Sequence, residues 1–455
     1  MSQKSDKAMT NSEQQYIDLY KNYSEVIKAN SAEALNAPRD MAFGHFMSMG
    51  FPTQKKEEYK YTDVQKAFAP DYGLNIKRIE IPTDPFEAFK CNVPNLSTLL
   101  YFVVNDLCYK DNPPLKDDNG IFLGSIKQAP EQARETFSRL YAKNANTATD
   151  AITALNTALA QDAFMVFVPR NRRLNKTLQV INLLHSKIDL MVNRRVMIVL
   201  EEGADATLLF CDHAMDSVRF LATQVTEIYC ADNSHLDMYE LEENHILCTR
   251  FSNTYVTVGN DCNVSLNNIT LYNGNTRNTV RVKLEGEHSE VTLNGCVIAD
   301  KNQKVDNNTL IEHCVPNCTS NELYRYVIDD SATGAFAGRI LVHLGAQNTV
   351  SQETNANLCA TKEARMYSQP MLEIYADDVK CSHGSTVGVL DENALFYMQQ
   401  RGIPADEARM LLKFAFISQV CEKIKLEPLR ERLNYLVNKR FRGQLSKCTG
   451  CSLCK

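Results

Sequence analysis

The residues of this chain best suited to chemistry are thiols and imidazoles at short spacing. Cys381-Ser-His383-Gly384 sets a thiol and an imidazole two residues apart. On an extended strand, Val379, Cys381 and His383 share one face, because alternate side chains point the same way. A thiolate and a neutral imidazole are iron ligands, the imidazole the weaker of the two. Two readings are open: a soft-metal or nucleophile site, or a strand with a core thiol and a hydrogen-bonded imidazole. The tail carries a second constellation, Cys448-x2-Cys451-x2-Cys454, with Gly450 to let the backbone wrap. This spacing matches the first three ligands of a bacterial ferredoxin run and lacks the fourth. It reads either as a metal or cluster site with one position open or filled by a partner, or as three exposed thiols. Cys211-Asp-His213, and Cys314-x3-Cys318 after His313, have ligand chemistry without a specific motif and are read as structural. The adjacent acids Glu242-Glu243 and Asp377-Asp378 point to opposite faces of a strand and form no acid–base pair. Nothing in the chain matches the phosphate-cradling G-x-x-x-x-G-K-[ST].

The elements that must position these residues are mostly strands. Leu372, Ile374 and Tyr375 are strand formers, and Pro370 marks a strand start, so residues 370–383 read as extended. Upstream the chain repeats itself. Pairs of apolar residues two apart begin at Leu178, Leu208, Leu236, Val264 and Val291, at intervals of 30, 28, 28 and 27 residues. Polar turns precede the last four: Gly203-Ala-Asp205, Asp232-Asn-Ser234, Gly259-Asn-Asp261 and Gly286-Glu-His288. Alternation at a steady period is the mark of a solenoid whose rungs bury their faces against one another. A β-sandwich is the competing architecture. The expectation is a mainly β chain: a right-handed β-helix-like solenoid over 166–390, an α/β N-terminal region over 1–165, a helical region over 391–441 and a Cys-rich tail over 442–455. Residues 1–10 are expected to be disordered. Helices are expected within 11–50 and 128–160, and a buried strand at 98–106.

After Asp391 the period becomes helical. Asp391 caps a helix over 392–401 that Gly402 ends. The next, over 405–424, has a main stripe of Ala408, Leu411, Leu412, Ala415 and Phe416 and a second of Met410, Phe414, Ile417 and Cys421. A third runs over 428–441. One stripe can pack on the body; the second needs another helix or another protein, and on the residues alone the two readings are equal.

Composition narrows the class. A hydrophobic fraction of 44% is that of a soluble globular protein, and a net charge of −6 argues against a nucleic-acid partner. No apolar stretch is long enough to span a membrane. Fifteen cysteines, an odd number, behind a polar N-terminus imply a reducing cytoplasm with free thiols, of which Cys230, Cys248 and Cys296 read as core.

Four stretches in order carry a resemblance. Pro52-Thr-Gln-Lys-Lys-Glu-Glu-Tyr-Lys-Tyr-Thr62 comes first, with Tyr59 where the related segment has Trp; this chain has no Trp. His313, Ser320, Tyr324, Gly334, Phe336, Gly338, Gln347, Gln352 and Asn355 follow. Then come Ser368–Gly388 and Leu390–Gly402. Together they resemble the SufB/SufD family of iron–sulfur cluster assembly scaffolds, and Cys381-Ser-His-Gly384 places the chain on the SufD side. The resemblance implies a non-enzymatic scaffold in a complex with a SufB-like paralogue and a SufC-like ATPase. It implies that His383, with Cys381 as the lesser choice, faces the paralogue where a nascent, transient iron–sulfur cluster forms, and that the terminal helices dock the ATPase through the stripe of Met410, Phe414, Ile417 and Cys421. It does not reach the tail, and whether a flavin binds stays open. A homodimer of the isolated chain stays open. The competing functions are the SufB subunit itself, a β-helix carbohydrate-active enzyme, and, on the tail alone, a ferredoxin-like carrier.

Overall fold

The computed structural model describes residues 11–444 except 81, 83, 89–97, 113–114 and 116–118. The tail cysteines Cys448, Cys451 and Cys454 lie outside the described residues, as do residues 1–10.

Successive strands alternate between two sheets, one of ten strands and one of nine. From Phe164–Val168 to Val379–Val389 the pairings within each sheet are parallel. Each coil of the solenoid therefore contributes one strand to either sheet. The apolar residues that alternate along the sequence form in-register columns inside. One column runs Leu178, Leu208, Met238, Leu266 and Leu293. Here the structure corrects the repeat: Leu208 pairs with Met238, not Leu236. The slip is two residues, so the face is preserved and only the register differs.

Corners are made by residues that tolerate the left-handed conformation. Gly203, Asn233, Asp261, His288, Asn317 and Asn348 all have positive φ, one per coil, just ahead of a strand of the ten-stranded sheet. At five of these corners the backbone N–H reaches the next coil: Gly203 to Asp232 O (2.9 Å), Asn233 to Asn260 O (2.8 Å), Asp261 to Glu287 O (2.8 Å), Asn317 to Gln347 O (2.9 Å) and Asn348 to Asp378 O (2.7 Å). Gly, Asn and Asp lower the cost of that backbone, which is why turn triplets flag each coil.

The first end of the solenoid is capped. Thr98–Val104, inside the stretch read as a separate N-terminal region, pairs in parallel with Thr177–Leu184 and folds back antiparallel onto Leu107–Cys108. Phe122–Ser125 does the same for the other sheet against Phe164–Val168. Both outer sheet faces are also covered. N-terminal helices lie on the nine-stranded sheet, where every residue of Ala151–Leu159 is buried. Arg195 pairs with Glu227 in this layer with no exposure on either side chain. Glu227 also accepts the N–H groups of Ala142, Asn144 and Ala145. A buried pair needs such extra donors to offset its desolvation.

Of the terminal helices, Glu392–Gln400, Ala405–Cys421 and Glu427–Phe441, the last two cover the outer face of the ten-stranded sheet and the first packs on the second. Asp391 caps the first, accepting from the N–H groups of Asn393 and Ala394, and Gly402 (φ 85°) follows it. The stripe expected to await a partner is largely covered by the chain itself. Met410, Ile417 and Cys421 are buried and Phe414 is half-buried. Ile417, Val420 and Cys421 share a cluster with Ile269, Cys296, Ile298 and Val327 of the sheet. The Cys421 thiol hydrogen-bonds that of Cys296 and, with burial, holds it well above the ordinary thiol range. Cations pin the layer: Arg325 donates to Phe416 O at 3.0 Å, Arg440 to Leu271 O at 2.9 Å, and Lys425 meets Asp237 at 2.9 Å.

Candidate functional site at the open end of the solenoid

Inside the last three coils the apolar columns turn polar. The column that ran through Leu266 and Leu293 continues as Glu322, Glu353 and His383. The column of Leu236, Val264 and Val291 continues as Ser320, Ser351 and Cys381. A third runs Gly295, Tyr324, Asn355 and Ser385. Cys381 and His383 thus stand on one face of Val379–Val389 and point along the lumen, as alternation requires. The extended segment expected over 370–383 is two strands rather than one. Arg365–Ile374 ends one sheet and Val379–Val389 the other, with a corner between them. Pro370 sits inside the former, where an edge strand tolerates a missing donor.

These two strands are the last of their sheets, and among the described residues no strand continues either one. His383 is exposed and Cys381 half-buried, its thiol raised by burial. A Cβ on Gly384 or Gly388 would meet nothing within 4 Å. Tyr375, Val387 and Val389 are 61%, 54% and 75% exposed. One end of the solenoid is therefore capped; the other presents unpaired backbone, apolar side chains, a thiol and an imidazole.

Behind His383 the interior is held polar. His313 Nε2 meets Ser320 Oγ at 2.9 Å, and Ser320 meets Ser351 at 2.7 Å. Burial keeps the His313 imidazole down at about 4, hence neutral. Ser368 of the opposite sheet bonds Asn355 at 2.7 Å and Ser385 at 2.6 Å. Glycines give the larger groups room: a Cβ on Gly295 would strike the Tyr324 ring, and one on Gly338 would lie 2.4 Å from Glu353 Oε1. Glu322 and Glu353 are paired in register, and none of their four carboxyl oxygens meets a donor at good geometry, although the Thr309 hydroxyl faces Glu322. Burial raises both carboxyls, and the charge of Glu322 raises Glu353 further. Two carboxyls are also the equipment of glycoside hydrolysis. These are 2% and 0% exposed, closed to a saccharide.

The N-terminal segment reaches this end. Tyr59 is buried, its hydroxyl on Asp150 at 2.5 Å and its ring under the Arg277 guanidinium. Tyr61 stacks on Tyr367 with ring centroids 4.2 Å apart, and Gln369 donates to Glu57 at 2.8 Å. The first quoted stretch thereby braces the last coil.

A model of the SUF system FeS cluster assembly SufBD core domain matches residues 183–416, and a model of the SufBD protein N-terminal region matches residues 10–180. The chain belongs to the SufBD family. Within that family it is similar to the iron–sulfur cluster assembly protein SufD of Escherichia coli, with 30% identity over 64% of this chain and 69% of that protein. A SufBD-family iron–sulfur cluster assembly protein of Synechocystis is 25% identical over 86% of this chain and 88% of its own length. SufD of Bacillus subtilis is 22% identical over 71% and 75%. The SufBD core match spans the solenoid coils that carry Cys381 and His383 and reaches into the second terminal helix.

Of the other sequence candidates, Cys211 and His213 are buried beneath the terminal helices' side of the sheet, and burial lowers His213 to about 4. Cys318 lies in the main core. Cys230 and Cys248 are buried as expected. Glu322 and Glu353 are site residues that sequence reasoning missed. The available signal was an acid at an inward column position, two residues after Ser320 and Ser351.

Proposed function

We propose that this SufBD-family chain is a non-catalytic scaffold of cytoplasmic iron–sulfur cluster assembly. It works with a SufB-like paralogue and a SufC-like ATPase, and His383 is a ligand or organiser of a nascent cluster at the junction with the paralogue. The observation that carries this reading is the bare solenoid end bearing His383. A second solenoid placed there would continue both sheets, cover Val387 and Val389 and close the polar lumen. Imidazole holds iron less firmly than thiolate, which suits a cluster that must leave. Cys381 is the secondary ligand. Without the paralogue, a second copy of this chain is the occupant the same edge accepts.

The ATPase assignment moves to a different surface. With Met410, Ile417 and Cys421 turned inward, the terminal helices offer Phe396, Tyr397 and Leu411, which are 62%, 59% and 36% exposed. Closure of ATPases docked there would be transmitted through the helical layer to the ten-stranded sheet and its last strand. The sequence has no phosphate-cradling loop of its own, so the nucleotide belongs to that partner. Among the described residues no helix is long and apolar enough to cross a membrane.

His383→Ala should leave the three-protein complex assembled on co-expression and lower its cluster yield about tenfold, read from visible absorbance and iron content after anaerobic purification. Unchanged yield would make the residue structural; a dissociated complex would make it a packing residue. The tail cysteines are proposed as an additional metal or cluster site. A chain ending at Ser446 should bind about one equivalent less iron or zinc than the full chain. Equal metal content, with Cys448, Cys451 and Cys454 freely alkylated, would remove that role.

A further inference from the structure

Glu312, Cys314 and His343 lie 29 to 31 residues apart at the extremes, about one coil, and therefore stack at one corner. Glu312 is near the end of Lys304–His313, Cys314 follows that strand, and His343 follows the next strand of the same sheet, Thr333–Val342. The coil ladder fixes their backbones: Cys314 N donates to Leu284 O at 3.1 Å and His343 N to His313 O at 3.0 Å. One carboxylate oxygen, one thiol sulfur and one imidazole nitrogen all lie within 4.8 Å of one another. His343 Nε2 is 3.7 Å from Glu312 Oε2.

We propose that Glu312, Cys314 and His343 form a binding site for a divalent transition-metal ion of the zinc and ferrous-iron class, separate from the open end of the solenoid. Such ions sit about 2.3 Å from sulfur and about 2.0–2.2 Å from nitrogen or oxygen, so ligand atoms around one ion are about 3.3–3.8 Å apart. The present spread closes to that by small side-chain rotations. His343 is 46% exposed on its side chain and free to turn, while Glu312, at 18%, is already held at the corner. Thiolate, carboxylate and neutral imidazole together carry two negative charges, which a divalent cation cancels; binding releases the Cys314 thiol proton to solvent. Mixed sulfur, nitrogen and oxygen donors select zinc or ferrous iron over magnesium and calcium. Lys283 Nζ, 4.0 Å from Glu312 Oε2, is the competing cation, and its half-exposed side chain can leave for water. Three protein ligands leave a fourth position on the solvent side, the arrangement of an exchangeable site rather than a closed structural one. The proposal is independent of the role given to His383, whose strand lies on the following coil.

The test uses the full chain with Cys381, Cys448, Cys451 and Cys454 changed to serine, stripped of metal and titrated anaerobically with cobalt(II). One equivalent should bind with a thiolate-to-cobalt charge-transfer band, and zinc or ferrous iron should displace it. Cys314→Ser should abolish the band. His343→Ala and Glu312→Gln should weaken binding at least tenfold, and Cys359→Ser should change nothing. On the unaltered full chain, zinc should slow alkylation of Cys314, mapped by mass spectrometry, while Cys359 reacts as before. Absence of the charge-transfer band, its persistence in Cys314→Ser, or alkylation of Cys314 indifferent to zinc would each overturn the site.

Discussion

Replacing Glu322 and Glu353 together by glutamine should stabilise the chain at pH 8 by several kcal/mol and leave it nearly unchanged at pH 4. The two carboxyls face each other one coil apart inside the solenoid, and their oxygens find no well-placed donors. Ionising either there forfeits hydration without a compensating charge. Burial pushes Glu322 up to about 7, and burial with the neighbouring carboxyl pushes Glu353 to about 9. In the unfolded chain a glutamate titrates near ~4.3. Below that value both states are protonated and the pair costs little. As pH rises, the unfolded chain releases protons that the folded chain keeps, so stability falls from about pH 4.3 until the pair itself ionises between about 7 and 9. Two amides at the same positions can hydrogen-bond each other and carry no charge at any pH. Urea midpoints at pH 4 and pH 8 for the native and doubly substituted chains decide the matter. Equal midpoints at pH 8 would mean that the carboxyls already have partners. A chain that retains so costly a pair directly behind His383 gives up stability at the coil that the proposed function uses, the usual location of such costs.

Much of this fold was legible in the sequence because a solenoid is local. Each coil repeats an apolar pair and a turn triplet, so Leu178, Leu208, Leu266 and Leu293 could be placed on one face from spacing alone. The register could not. Leu236 and Met238 are both inward and differ by one pleat, and only the corner geometry chooses between them. Cys381 and His383 were legible as a pair because alternation acts within a strand. Their companions Glu322 and Glu353 precede His383 in steps of one coil, 31 and then 30 residues, a distance over which no motif is visible. The same applies to Glu312 and His343.

The terminal helices show a different limit. Ala405–Cys421 is apolar on two sides, and no helical period says which side meets the body. The deciding signal lay upstream. Ile181, Leu183, Leu209, Leu241, Ile269, Leu271, Cys296 and Ile298 interleave with the inward columns, so these strands are apolar on both faces and must be covered on both. Read with that in mind, the helices are the missing cover. A chain cut after Gly388 would therefore bare the ten-stranded sheet, and substitutions rather than truncation must separate partner binding from folding.

Ile417→Asp and Leu411→Asp make that separation on one helix. Ile417 is fully buried against the sheet, whereas Leu411 is 36% exposed. Placing a carboxylate at 417 removes a packed side chain and buries an unpaired charge, so the helical layer should lose about 4 kcal/mol or more and lift from the solenoid. The thiols of Cys296 and Cys421, which touch beneath that layer, should then alkylate many times faster. At 411 the same carboxylate remains in water, so stability should shift by no more than about 0.5 kcal/mol and both thiols should stay protected. If Leu411, with Phe396 and Tyr397, forms the ATPase surface, Leu411→Asp should weaken capture of a SufC-like partner about tenfold or more on an intact chain. Protected thiols in Ile417→Asp would show that the layer is not held through this residue. Undiminished capture with Leu411→Asp would move the docking surface off this face. The contrast between the two variants depends only on which side of one helix carries the charge, so a general loss of folding cannot imitate it.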